Sequence, residues 1–301
     1  MGLFTEVSPG GRSDAFRLGI GGAESNFAIG VARLGGASTW IGRVGDDLVG
    51  ELVQRELRAE GVRAAAIVDP DAPTGVMVKS RPIAPVTRVD YHRTASAGSR
   101  LRPEDVDPGI VRGAAVVHVT GITPALSDSA AAAIDRVIDL AVESRVPVSF
   151  DVNHRPSLWR GRSPRETYLR LARRADIVFA GLDEARLLAD GGSAEELAEG
   201  VASLGPSQVL IKLGADGAVA RIGAEVLHVP AVPIDPVDTV GAGDAFAAGY
   251  LVEWLAGSGI ATRLSTAVRA ATFACLGPGD WESFPHRRHL GLLDGPDPVL
   301  R

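Results

Sequence analysis

Cysteine is nearly absent: Cys275 stands alone in 301 residues. An internal disulfide is excluded, and a reducing cytoplasm is the expected compartment. Positive charge is in deficit, with 31 Lys and Arg against 37 Asp and Glu for a net charge of −6. That argues against a nucleic-acid or anionic-membrane surface, whose footprint would be basic. It leaves room for a small anionic substrate, because a few arginines can build a local site. No apolar run approaches the roughly 20 residues that cross a bilayer. The opening "MGLFTEVSPGGR" lacks the basic and apolar regions of a signal peptide. Internal repeats, low-complexity tracts and long linkers are missing too. What is present is ordinary for a globular chain: 46% hydrophobic and 23% charged residues, and enough length to bury a large core.

From about Gly22 onward, helical and strand patterns alternate. "ESNFAIGVARLGG" has helical spacing and ends in glycine. "STWIGRVG" reads as a strand, and "DDLVGELVQRELRAEG" as a helix with Asp46 and Asp47 at its positive end. The order continues with strand "AAVVHVTG", helix "LSDSAAAAIDRVIDLAVESR" and strand "VPVSFDVN". Strand "ADIVFAG", helices "LDEARLLAD" and "SAEELAEGVASLG" and strand "SQVLIKLG" follow. Buried strands alternating with amphipathic helices predict a mostly parallel sheet covered on both faces. One region breaks the pattern. "PTGVMVKSRPIAPVTRVDYHRTASAG" holds two β-like runs, Gly75–Ser80 and Val86–Arg93, with no helix between them, and "DAFRLGIGG" is similar. These predict a small sheet projecting from the main domain, as a lid or a dimer surface.

The chemistry concentrates in "DPVDTVGAGDAFAAGY", Asp235–Tyr250. Its glycines let the backbone turn tightly and point successive N–H groups at a ligand. The apolar run after Asp244 makes those groups a helix N-terminus, which favours anions. A carboxylate beside a phosphoryl group in flight can take the proton of the attacking hydroxyl. The other reading makes Asp244 a helix cap beside a glycine turn. The stretch matches neither the P-loop nor the dinucleotide fingerprint.

"DTVGAGDAFAAGY" resembles the C-terminal signature of the ribokinase-like sugar kinases, the PfkB family. "GGAESNFAIGVARLGG", Gly21–Gly36, resembles their N-terminal signature and is followed by "IGRVGDDLVG". The resemblance runs from about Gly21 to Pro285. It implies a three-layer α/β/α sandwich with a mostly parallel sheet and a small β lid. Residues 21–74 and 98–301 would form the sandwich, and 3–20 and 75–97 the lid. Asp244 would be the general base, and the Gly241, Ala242, Gly243 and Asp244 amides the anion hole. ATP and Mg²⁺ are the implied cofactors. "IKLGADGAV" is similar to the nucleotide-side strand and turn, placing Lys212, Gly214 and Gly217 beside ATP together with Gly241 and Gly243; alone it would be an ordinary hairpin. "ACLGPGD" resembles the adenine-pocket loop, with Gly277. "GLDEARLL" matches a segment in which Glu184 would hold Mg²⁺ through water, although Gly181 stands where Asn is usual; a solvated first-turn glutamate is the other reading. The resemblance further implies that the backbone around Asp238–Thr239 joins the "ACLGPGD" loop at a monovalent-cation site, for an ion such as K⁺.

Three further stretches, "RVDYHRTASAGS", "VTGITPALS" and "DVNHRPSLW", look most like 2-keto-3-deoxygluconate kinases and secondarily like fructokinases. Such enzymes pass the ATP γ-phosphate to the 6-hydroxyl of an acid sugar. A carboxylate calls for a bidentate partner, and arginine has that geometry. The resemblance places Arg93 and Arg155 on the carboxylate, Arg155 first. Gly21, Gly22, Asn26, Tyr91 and Asn153 would add contacts. His92 is expected to pack or hydrogen-bond rather than catalyse, and Trp159 and Tyr168 to belong to the core. A homo-oligomer through the lid is implied. A neutral ketose such as fructose, and a sugar- or nucleotide-binding relative with little turnover, are the alternatives. A nicotinamide-dependent oxidoreductase fits only the gross α/β pattern. One departure concerns the start. Relatives open with a buried apolar strand, whereas this chain reaches "LFTEVSPG" directly after Met1-Gly2. The expectation is a late start or a gap in the sheet with unpaired backbone.

Overall fold

The apolar runs form strands and the amphipathic runs between them form the covering helices. The computed structural model describes residues 1–7, 15–83, 86–159 and 161–294. Residues 8–14 and 84–85 of the expected lid, and residues 295–301 of the expected sandwich, lie outside the described residues.

The chain opens with β1 (Gly2–Glu6) and β2 (Phe16–Ile20), then α1 (Ala23–Arg33), β3 (Thr39–Gly45), α2 (Leu48–Ala59) and β4 (Arg63–Asp69). Next come β5 (Val76–Ile83), β6 (Val86–His92), α3 (Pro108–Arg112), β7 (Val117–Thr120), α4 (Thr123–Leu126), α5 (Asp128–Glu143) and β8 (Val148–Asp151). The second half holds α6 (Arg165–Ala172), β9 (Ile177–Gly181), α7 (Leu182–Ala185), α8 (Ala194–Ala202), β10 (Gln208–Lys212), β11 (Ala218–Ile222) and β12 (Glu225–Val229). Helices α9 (Ala242–Leu255) and α10 (Ile260–Cys275) follow.

The main sheet has the order β12-β11-β10-β9-β8-β7. Strands β7 to β10 are parallel, and β11 and β12 add antiparallel. Side-chain alternation sorts the strand residues into two cores. Phe150, Val178 and Val209 face α5, α6 and α8, against Ile138, Leu171 and Leu197. Ile177, Phe179 and Leu210 face α9 and α10, against Phe246, Tyr250 and Val268. This is the expected sandwich, buried on both faces. Trp159 and Tyr168 are core residues. "LDEARLLAD" is less helical than its pattern. After α7 the bonds Leu187 N–H to Glu184 and Leu188 N–H to Ala185 skip three residues instead of four, and the turn tightens to an end.

Two smaller sheets complete the fold. Strands β3 and β4 pair in parallel by themselves, packed under α1 and α2. The four-stranded sheet β2-β1-β5-β6 is antiparallel except for the parallel β1–β5 pair. The opening strand therefore belongs to this projecting sheet. It completes neither the main sheet, which ends at β7, nor the β3–β4 pair. Among the described residues, β3 pairs only with β4 and β7 only with β8.

Candidate active site

Helix α9 is apolar on every side and buried from Asp244 to Glu253, so its N-terminus is held rigidly by the core. Gly241 caps it in the left-handed region, with φ 81°. Only glycine fits there: a Cβ would overlap the carbonyl oxygen of Asp280. Of the four expected anion-hole amides, Ala242 N–H is turned back onto Thr239 O at 3.3 Å. The amides of Gly241, Gly243 and Asp244 have no such backbone partner and form the open positive end.

Asp244 is 8% exposed. Its Oδ2 accepts from Asn26 Nδ2 at 2.9 Å, and its Oδ1 from Asn153 Nδ2 at 3.2 Å. Asn26 comes from α1, and Asn153 from just past the carboxyl end of β8. Asn153 has φ 40°, an unusual conformation for a non-glycine residue that aims its amide at the aspartate. Burial pushes the Asp244 carboxyl up to about 7; Asn26 opposes the rise, while the nearby Asp151 charge adds to it. A carboxylate poised there is a proton acceptor near neutral pH. Helix capping does not explain it, since its side chain bonds across the fold instead of to its own helix.

Two chambers meet at Asp244. The smaller, about 150 Å³, is lined by Gly21, Gly22, Asn26, Tyr91, Arg93 and Arg155 among others. The larger, about 910 Å³, is lined by Asn153, Glu184, Lys212, Gly214 and Gly217 and has an apolar wall from Val232 to Cys275. Gly241, Asp244, Arg155 and Tyr91 line both. In the smaller chamber Arg93 is 8% exposed, and its Nε and one Nη carry no hydrogen bond. Its guanidinium lies 4.4 Å from the centre of the Tyr91 ring. Burial pulls its pKa below the usual guanidinium value, and the Arg155 charge adds to that. Arg155 is half-buried and gives one bond, Nη1 to His154 O at 3.0 Å. His92 is exposed, outside both chambers.

On the other side, Lys212 Nζ bonds both oxygens of Asp151 at 2.9 Å. Burial alone would lower the ammonium's pKa, but the Asp151, Glu184 and Asp244 carboxylates together outweigh it and the value is raised. Gly243 leaves the space beside Lys212 open, since a Cβ there would stand 3.2 Å from Nζ. Glu184 is not the solvated glutamate of the simpler reading. Its Oε1 accepts His154 N–H at 2.7 Å and its Oε2 accepts Gly181 N–H at 2.6 Å, closing the start of α7. Gly277 falls outside the lining; it sits in the loop after α10, against Ser283. Asp238 does not present an open carboxylate. Lys79 Nζ of β5 lies 2.6 Å from its Oδ2.

Several site residues escape the sequence patterns. Asp151 ends β8 in the quoted "DVNH", but only the fold turns it onto Lys212. Glu24 lines the smaller chamber and accepts from Thr120 and Thr123 hydroxyls at 2.9 and 2.6 Å. Asp280 closes the chamber beside Gly21. Its signal was its place at the end of "ACLGPGD". No helix among the described residues is long and apolar enough to cross a membrane.

Residues 3–287 match the pfkB family carbohydrate kinases. The chain is 34% identical over 296 residues to a 2-dehydro-3-deoxygluconokinase of Bacillus subtilis (strain 168), covering 96% of this chain and 91% of that one. It is 35% identical over 266 residues to a 2-dehydro-3-deoxygalactonokinase of Haloferax volcanii, covering 87% and 82%. Among solved structures, a PfkB protein from Polaromonas sp. JS666 superposes with a TM-score of 0.87 at 33% identity, covering 97% and 96%.

Proposed function

The chain belongs to the pfkB family of carbohydrate kinases, and within it we propose a kinase for a 2-keto-3-deoxy sugar acid, 2-keto-3-deoxygluconate first. The observation that carries this reading is Arg93. A buried guanidinium with unbonded nitrogens is costly unless a ligand pairs it. It lines a chamber that ends on Asp244 and that Arg155 also lines. Two such groups suit a carboxylate and offer nothing special to a neutral ketose.

The sugar acid sits in the smaller chamber with its carboxylate toward Arg93 and Arg155. Its terminal hydroxyl lies at Asp244, whose own carboxylate Asn26 and Asn153 orient by holding one oxygen each. With ATP in the larger chamber, Asp244 would take the hydroxyl proton as the sugar oxygen bonds to the γ-phosphorus, while the bond from that phosphorus to the β-phosphate oxygen breaks and ADP leaves. The N–H groups of Gly241, Gly243 and Asp244 face the charge that gathers on the transferring group, where preorganised donors act most strongly. Lys212, anchored on Asp151, adds a positive charge beside Gly243. Gly214 and Gly217 line the nucleotide chamber. Among the described residues no three acidic, His or Cys side chains gather as a metal cage. That suits Mg²⁺ carried on nucleotide phosphates and water. Glu184, with both oxygens fixed on backbone, would hold a water of that ion, whose charge neutralises the phosphates.

The β2-β1-β5-β6 sheet acts as a lid through Met77 and Tyr91, which line both chambers. Its outer strands expose Phe16 and Val86, and a homo-oligomer through this sheet would cover them. Light scattering on the wild type and on Phe16→Asp tests that contact; an unchanged mass in the variant rejects it. The substrate is tested by ADP release with Mg²⁺-ATP against 2-keto-3-deoxygluconate, its galactonate epimer and fructose. The acids are expected to give the higher kcat/KM. Preference for fructose overturns the reading.

A further inference from the structure

The loop that leads into the anion hole carries a buried carboxylate that needs a positive partner. Asp238 has a side chain 1% exposed. Its Oδ1 accepts Val240 N–H at 3.2 Å, a bond that shapes the approach to Gly241. Its Oδ2 has no hydrogen bond. The neighbouring carboxylate of Asp280 is 5% exposed. Two anions in one buried place repel each other and lack water, so compensating cations are required.

Those cations come from the lid strand. Met77, Lys79 and Arg81 alternate along β5 and share the face turned to the site. Lys79 is 3% exposed. Its Nζ lies 2.6 Å from Asp238 Oδ2 and 3.3 Å from Asp280 Oδ1, and it donates to Gly279 O at 2.7 Å. Arg81 adds Nη2 at 3.3 Å from Asp238 Oδ2 and donates to Val237 O at 2.6 Å. Carboxylate, backbone carbonyl and second carboxylate are the oxygen donors a monovalent ion would take. Here they already surround an ammonium. Two carboxylates face two cations, and a further ion would meet Lys79 at contact range in a dry place.

We infer that the Lys79 ammonium is a tethered cation at the Asp238 carboxylate, replacing a bound monovalent ion. On this inference the carboxylates of Asp238 and Asp280 do not fit a free K⁺ ion. Lys79 is a positioning residue. It acts through Asp238 on the loop that presents the Gly241, Gly243 and Asp244 amides, and it ties the lid strand to that loop. The nucleotide site then keeps its shape without K⁺. The consequence for turnover rests on the kinase reading above; the consequence for nucleotide binding does not.

The experiment measures Mg²⁺-ATP affinity and melting temperature in KCl, NaCl and tetramethylammonium chloride at equal ionic strength. Wild type is expected to give the same values in all three. Lys79→Met is expected to lose about tenfold or more in ATP affinity and to regain part of it with K⁺ or NH₄⁺ but not with tetramethylammonium. Selective strengthening of wild type by K⁺ overturns the inference. So does a folded Lys79→Met that no small cation restores. If that variant does not fold, the wild-type ion series decides alone. Binding needs no sugar, so failure of every sugar to react sinks the proposed substrate and leaves this test standing.

Discussion

Asn26 donates its side-chain amide to Asp244 Oδ2 at 2.9 Å, joining residues 218 apart in the chain. The first helix thus orients the carboxylate at the head of the ninth. Replacing Asp244 by Asn removes proton acceptance and keeps the shape. A fall in kcat of about 10²–10⁴-fold is expected, with ATP affinity nearly unchanged. A variant that keeps wild-type kcat dismisses Asp244 as the base.

The pH profile follows from the same carboxyl. Burial raises it to about 7, and the base works only when deprotonated. kcat/KM should therefore rise with pH, with unit slope below about 7, and level off above it. Asn26 favours the ionised form, so Asn26→Ala should move the acid limb to higher pH. A limb that stays in place, or moves down, contradicts the assigned hydrogen bond.

Arg93 and Arg155 separate acid from neutral substrates. Loss of a charged hydrogen bond is worth about 10- to 150-fold in kcat/KM. Arg93→Ala and Arg155→Ala should each impose that loss on 2-keto-3-deoxygluconate, mainly through KM, and scarcely touch activity on fructose. The buried and unbonded Arg93 should show the larger effect. Lys at either position should restore only part, since a point charge lacks the planar fork. Equal losses on both substrates would assign the arginines a general structural role.

Lys212, 19% exposed, pairs at 2.9 Å with Asp151, which is 1% exposed. Lys212→Met strands that carboxylate, and about 3–5 kcal/mol of stability should go with it. Adding Asp151→Asn removes the uncompensated charge, so the double variant should unfold at higher denaturant than Lys212→Met alone. ATP affinity should stay low in both. Additive losses in stability would show that the two side chains act independently.

The α/β sandwich was legible because its signal is local. Continuous apolar runs such as "VLI" and "IVFA" are buried on both faces, and the helices between them carry one apolar side. The Gly241–Asp244 loop was legible for the same reason, since a glycine turn and the helix it opens are contiguous. The projecting strands were visible as β runs without helices. Tertiary structure alone decided what those pieces meet. Nothing local to Asp151 says that its partner is Lys212, and nothing in "VKSRP" says that Lys79 reaches Asp238 and Gly279. That Arg93 is buried and Arg155 half-buried is likewise a property of the assembled chain. Periodicity depends on neighbours a few residues away, but charge pairing and desolvation depend on whichever groups the fold brings together.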